Sequence, residues 1–179
     1  MTGAAEQVRG AAVVLAQLEI SVDVVQAVDI AGGTTVLNAA PARTLPVGLL
    51  AATNVLVVNG IELAMTAGLR GREPTDVAAI LAACRSIPGP GAVIVTRGRP
   101  GAVVVDDGRA TEIPAPEVDA IDTAGAGDCF CGVLAGALAE GEDLLDAARV
   151  AVRAASLAAS RLGAAEGIPR WYEINAARS

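Results

Sequence analysis

Short apolar runs alternate along this chain with segments of helical period, and polar or glycine-rich stretches punctuate them. Ala11 to Leu18 reads as an apolar strand. Ser21 is placed to cap a helix running to about Ile30, with Val22, Val25 and Val28 on one face and Gly32-Gly33 breaking it. Thr34 to Leu37 is a second strand, followed by Asn38-Ala39-Ala40-Pro41. A short helix over Val47 to Ala51 leads to a strand over Asn54 to Val58. Glu62 to Thr66 is helical and Gly68 ends it. Pro74 starts another helix, to about Cys84, before a strand over Ala92 to Thr96. Gly101 to Val105 and Ala110 to Ile113 flank Asp106-Asp107-Gly108, a hairpin signal. Helices from Gly125 to about Ala139, from Leu144 to Arg161 and near Trp171 to Ala176 complete the chain.

Strands alternating with crossover helices predict a doubly wound α/β fold, its sheet mostly parallel with helices on both faces. We read residues 1–179 as a single α/β domain. In such sheets ligands bind beyond the carboxyl ends of the strands. Gln17 to Glu19, Asn38, Asn59 and Thr96 to Gly101 all follow strands, so they should gather at one edge, beside the turn that opens the Gly125 helix.

Composition narrows the partners. With 53% hydrophobic residues, the chain fits a parallel sheet covered on both faces, whose strands run apolar throughout. No stretch approaches the ~18 apolar residues of a membrane span. A net charge of −7 and only three aromatics, Phe130, Trp171 and Tyr172, argue against a nucleic-acid surface. Cys84, Cys129 and Cys131 show no disulfide framework, which reads as reduced thiols in a cytoplasmic protein. The absence of histidine removes Ser-His-Asp chemistry and most zinc sites. The N-terminus lacks the basic region of a signal peptide.

The chemistry concentrates in Asp122-Thr123-Ala124-Gly125-Ala126-Gly127-Asp128-Cys129-Phe130. Small residues at a helix start leave backbone N–H groups open to an anion, and the helix dipole favours it. Gly125, Ala126 and Gly127 let a phosphate approach the backbone. A carboxylate at Asp128 would repel a resting phosphate, but it suits a base that takes a proton from an attacking hydroxyl.

That string resembles the signature of the ribokinase-like (PfkB-type) carbohydrate kinases. The resemblance implies ATP-dependent phosphorylation of a sugar hydroxyl, with Gly125, Ala126 and Gly127 as the anion hole and Asp128 as the base beside the sugar. Gln17-Leu18-Glu19, whose Glu19 would touch the sugar, and Asn38-Ala39-Ala40-Pro41-Ala42, whose Asn38 would face the nucleotide, are similar to the ribokinase branch and imply D-ribose as substrate. Fructose and adenosine kinases of the family are the alternatives. The loop Thr96-Arg97-Gly98-Arg99-Pro100-Gly101 would cover the nucleotide phosphates. Asn59 and Glu62 would support Mg2+, with Gly60 where the family usually has an acid. Asp122, Ala124, Ala158, Arg161, Gly163 and Gly167 fall at the positions of a K+ site, Gly167 replacing a serine. Val152 lies where a polar residue usually meets the adenine.

The match covers only the C-terminal part of a longer kinase. The family's first strands, its Gly-Gly sugar motif and its β-lid have no counterpart here. A truncated, catalytically silent nucleotide-binding module is therefore the competing expectation. An exposed sheet edge would then favour self-association or a homodimer.

Overall fold

The structure, a computed structural model, describes residues 2–70 and 72–176. They fall into two compact units, one running to Thr96 and including Val103–Glu112, the other Arg97–Ala102 with the residues from Ile113 onward.

The first unit holds a six-stranded sheet in which strand order follows chain order. Its elements are α1 (Thr2–Gly10), β1 (Val13–Gln17), α2 (Val22–Val25) running into a 3-10 turn (Gln26–Ile30), β2 (Thr34–Asn38), α3 (Val47–Ala51), β3 (Val55–Asn59), α4 (Gly60–Thr66), α5 (Val77–Arg85), β4 (Ala92–Thr96), β5 (Ala102–Asp106) and β6 (Arg109–Ile113). Strands β1 to β4 pair in parallel, with Val14 opposite Thr35, Leu37 opposite Leu56 and Val57 opposite Ile94. The connections from β4 to β5 and from β5 to β6 are too short for a crossover, so these neighbours run antiparallel. Asp107 and Gly108 turn the second hairpin with φ of 45° and 69°, the mirror-image turn that matches strand twist. The mostly parallel α/β sheet expected from the apolar runs is thus present.

Consecutive parallel strands place their crossovers on one face when every crossover has the usual hand. Val25, Leu49, Leu63, Ile80 and Cys84 from those segments share a core with Leu37, Leu56, Val58, Val93, Val95 and Val103 from the strands. Val36, Val57, Ile94 and Val104, on the opposite face, are buried as well. Burial on both faces is why the strands read as unbroken apolar runs. Polar groups clamp the start of β2 to the start of β3. The Thr35 hydroxyl donates to the Ala52 carbonyl at 2.7 Å, and Asn54 Oδ1 accepts from the Thr35 N–H at 2.7 Å.

In the second unit α6 (Ala126–Ala139), α7 (Leu144–Ala159) and α8 (Trp171–Ala176) bury Cys129, Val150, Ala154, Ala158 and Ile174 together. Asp143 caps α7 by accepting from the Asp146 N–H at 2.9 Å.

Some boundaries differ from expectation. The segment after Ser21 is one α-turn and then 3-10, not a continuous helix to Ile30. Helix α5 begins at Val77, because Asp76 accepts from the Ala79 N–H at 2.8 Å and Pro74 belongs to the preceding loop. Helix α7 stops at Ala159, where the Ser160 hydroxyl donates back to the Leu157 carbonyl at 2.8 Å. Helix α1 was not expected, since Thr2 to Gly10 lacks a sustained apolar stripe and carries two glycines.

Candidate functional site

The second unit builds the turn that opens α6. Gly125 caps the helix with φ of 74°, and a Cβ there would stand 2.7 Å from the Ala164 carbonyl oxygen. Glycine meets both demands, the left-handed backbone and the close approach. The Cys129 N–H donates to the Gly125 carbonyl at 2.8 Å, the first bond of the helix proper. The N–H groups of Gly127 and Asp128, in that first turn, thus lie among the donors a helix start leaves without intrahelical partners. Nothing lies within 4 Å of where a Cβ on Gly127 would stand. Cys129, Phe130 and Cys131 are buried and Asp128 is exposed, so the helix is anchored with the carboxylate outward.

Asp122 shapes the approach to this turn. One of its carboxylate oxygens accepts from the Ala124 N–H at 2.9 Å and the other from the Gly163 N–H at 3.1 Å. Those two bonds hold its pKa below the usual carboxylate range. Gly163, at φ of 91°, accepts from the Gly167 N–H at 2.8 Å, and Ala158 accepts from the Arg161 N–H at 3.0 Å. A Cβ on Gly167 would fall 2.6 Å from the Gly163 oxygen and 3.3 Å from that of Ala158, so this loop needs glycine where a serine was expected. Asp122, Ala124, Ala158, Gly163 and Gly167 are therefore drawn into one loop system. The Arg161 guanidinium turns away to Glu173, 2.7 Å distant.

The Arg97 to Gly101 loop belongs to the same unit. The Arg97 N–H donates to the Gly101 carbonyl and the Gly101 N–H to the Gly98 carbonyl, both at 2.8 Å. Gly98 and Gly101 take φ of 65° and 95°, and a Cβ on Gly101 would come 2.0 Å from the Ile113 oxygen. Arg99 and Pro100 are exposed at the tip. Val152 lies on α7 with its side chain buried.

In the first unit the expected residues line up at the carboxyl ends of the strands. Gln17 stands opposite Asn38, and Asn59 opposite Thr96. Gln17 Nε2 donates to the exposed Glu19 carboxylate at 3.3 Å. Asn38 is buried. Asn59 Oδ1 accepts from the Glu62 N–H at 2.9 Å, while Glu62 Oε2 accepts from the Asn59 N–H at 2.7 Å, a reciprocal cap on α4. Beside it lies a feature the sequence did not disclose. The Glu73 side chain covers Gly60, its Oε1 2.1 Å from where a Cβ on Gly60 would be. An acid near the α4 start thus comes from a loop that no local spacing links to it.

Among the described residues no group of three histidine, cysteine, aspartate or glutamate side chains could hold a metal ion. The oxygen chemistry of Asn59 and Glu62 fits a hydrated hard cation, while the Asp122 carboxylate is satisfied by the N–H groups of Ala124 and Gly163.

A family model described as pfkB family carbohydrate kinase matches residues 4–171. The ribokinase of Staphylococcus aureus is 34% identical over 167 residues, covering 90% of this chain and 55% of that protein. The deoxyribokinase of Salmonella typhi is 31% identical over 180 residues, covering 96% of this chain and 58% of its own. The solved structure of Arabidopsis thaliana ribokinase complexed with ribose and ATP matches with a TM-score of 0.89 and 28% identity, over 98% of this chain and 58% of that one. The chain spans little more than half the length of these relatives.

Proposed function

This chain belongs to the pfkB family of carbohydrate kinases, and from that premise we propose that it transfers the γ-phosphoryl group of ATP to a primary sugar hydroxyl, converting D-ribose to ribose 5-phosphate. The observation that carries the reading is the α6 start, where first-turn N–H groups and the exposed Asp128 carboxylate share one turn above a buried anchor. In this reading Asp128 takes the proton from the hydroxyl as its oxygen bonds to the γ-phosphorus and ADP leaves. The backbone from Gly125 to Gly127 stabilises charge on the phosphoryl oxygens, a role that contributes several kcal/mol in such sites. Glu19 holds the sugar. Asn38 and the Thr96 to Gly101 loop hold the nucleotide. Asn59 and Glu62 orient waters of the magnesium ion that neutralises phosphate charge, and the Asp122 loop takes potassium. Ribose is favoured over fructose or adenosine because the relatives include ribokinases. A cytoplasmic location is part of the same proposal. Among the described residues no helix is long and apolar enough to cross a membrane.

A second reading is that the chain binds nucleotide without turnover. The buried apolar Val152 is compatible with altered nucleotide preference. An assay of ribose, 2-deoxyribose, fructose and adenosine with ATP, magnesium and potassium separates the two. Turnover that Asp128→Ala reduces about 100-fold or more supports the kinase reading. Calorimetric binding of ATP with no turnover on any acceptor replaces it with the second.

A further inference from the structure

Every cationic side chain in this sequence is a guanidinium. The 13 basic residues are all arginine, and there is neither lysine nor histidine. A phosphate bound here therefore meets positive side-chain charge only from arginine. Guanidinium keeps its charge at any working pH, and its planar fork matches phosphate oxygens two at a time. The need for such a charge is local, because Asp128 is an exposed carboxylate in the turn that would receive the phosphate and repels it. The N–H dipoles of that turn carry no net charge to offset the repulsion.

Most described arginines of the second unit are already engaged. Arg161 is paired with Glu173 and Arg149 with Asp146. Arg170 lies beside the Glu173 carboxylate, which accepts its backbone N–H at 2.6 Å. Arg97 is half-buried and has a partner of its own. Arg153 is half-buried along α7. Arg99 is exposed, and among the described residues no hydrogen bond or ion pair holds its side chain. It also follows β4, at the carboxyl end where such sheets bind ligands. The Gly101 N–H donates to the Gly98 carbonyl and closes a turn with Arg99 and Pro100 at its tip. The Pro100 ring stiffens that tip. Its base is packed, since a Cβ on Gly101 would stand 2.6 Å from the Ala115 nitrogen and 2.9 Å from the Pro114 carbonyl carbon. A fixed base with a free guanidinium leaves only one side chain to order on binding.

The terminal phosphate of a nucleotide carries roughly twice the charge of an inner one, so it draws a free cation most strongly. We propose that Arg99 holds the terminal phosphate of a bound nucleoside triphosphate, and is the side chain by which this chain tells a triphosphate from a diphosphate. The proposal takes its ligand from the kinase reading and adds the residue that selects the donor class.

Calorimetry with ATP, ADP and AMP in magnesium tests it, with circular dichroism checking each variant's fold. We expect the wild type to bind ATP more tightly than ADP. Arg99→Ala weakens ATP about tenfold or more, ADP much less and AMP not at all. Arg99→Lys keeps the charge without the fork and recovers part of the ATP affinity. Arg153→Ala leaves all three constants unchanged. Equal losses on the three nucleotides overturn the proposal, as does an ATP constant that Arg99→Ala leaves unchanged. So does a selective ATP loss that follows Arg153 instead, or a chain that binds no nucleotide. The sugar assay decides the kinase reading separately. A selective ATP loss in a chain without turnover upholds Arg99 and fails that reading, and turnover with no selective loss does the reverse.

Discussion

The Asp122 carboxylate reaches across 41 residues of sequence to the backbone N–H of Gly163, while its other oxygen holds Ala124. This side chain fastens the start of the α6 turn to the loop after α7. Its pKa is held below the usual carboxylate range by those two bonds, so the ionised form is favoured in the folded chain. Stability from this group is therefore present above the ordinary aspartate value, near ~4, and is lost as pH falls through the lowered one. We expect the wild type to melt above Asp122→Asn at neutral pH and the two melting curves to converge in acid. A gap independent of pH would assign the effect to geometry rather than charge.

Gly125 and Gly127 bracket the same turn but should respond oppositely to alanine. At Gly125 the backbone is left-handed and a Cβ meets the Ala164 oxygen at 2.7 Å. Gly125→Ala should cost about 1–3 kcal/mol of stability by chemical denaturation. Gly127 has ordinary backbone and nothing within 4 Å, so Gly127→Ala should fold as the wild type does or slightly better. Any loss of activity in Gly127→Ala then reports on close approach of a ligand. Equal destabilisation by both substitutions would contradict this account of the turn.

Glu62 separates capping from charge. Its Oε2 accepts from Asn59 and its N–H is capped in return. Glu62→Gln keeps an oxygen able to accept, and Glu62→Ala does not. We predict that Glu62→Ala loses about 0.5–2 kcal/mol while Glu62→Gln loses less than half of that. If Glu62 also supports the magnesium-bound nucleotide, Glu62→Gln raises the magnesium concentration needed for half-maximal ATP binding. An unchanged magnesium dependence confines Glu62 to the cap.

Burial pushes the Cys84 and Cys129 thiols up to about 11. Thiolate is the reactive form, so little of it exists at neutral pH in the folded chain. Both should react with iodoacetamide only slowly under native conditions and rapidly in denaturant. Rapid native labelling of either, located by mass spectrometry, would show that its helix opens readily.

What the sequence disclosed depended on how local the cause was. The Ala92 to Thr96 strand was legible because burial on both faces demands an unbroken apolar run. The Gly125 turn was legible because small residues in sequence mark a tight helix start, and the cap there is left-handed and close to Ala164. Asn59 and Glu62 stood out as a pair three residues apart, but the reciprocal cap they form on α4 emerged only from the structure. The start of α5 was misplaced because Pro74 and Asp76 are both good openers, and the side-chain bond to Ala79 selects the later one. Neither the Gly163 partner of Asp122 nor the cover that Glu73 places on Gly60 has a local sequence signal. Each depends on where distant backbone arrives.

The identity of strand order and chain order has a consequence for how the first unit is assembled. From β1 to β6 each new strand is laid against the one just completed, and none is inserted between two already paired. The growing edge is always the most recent one. A nascent chain leaving the ribosome amino end first can therefore add each strand and its crossover to the strand made just before it. The crossover helices are buried against one face of the sheet at the same pace.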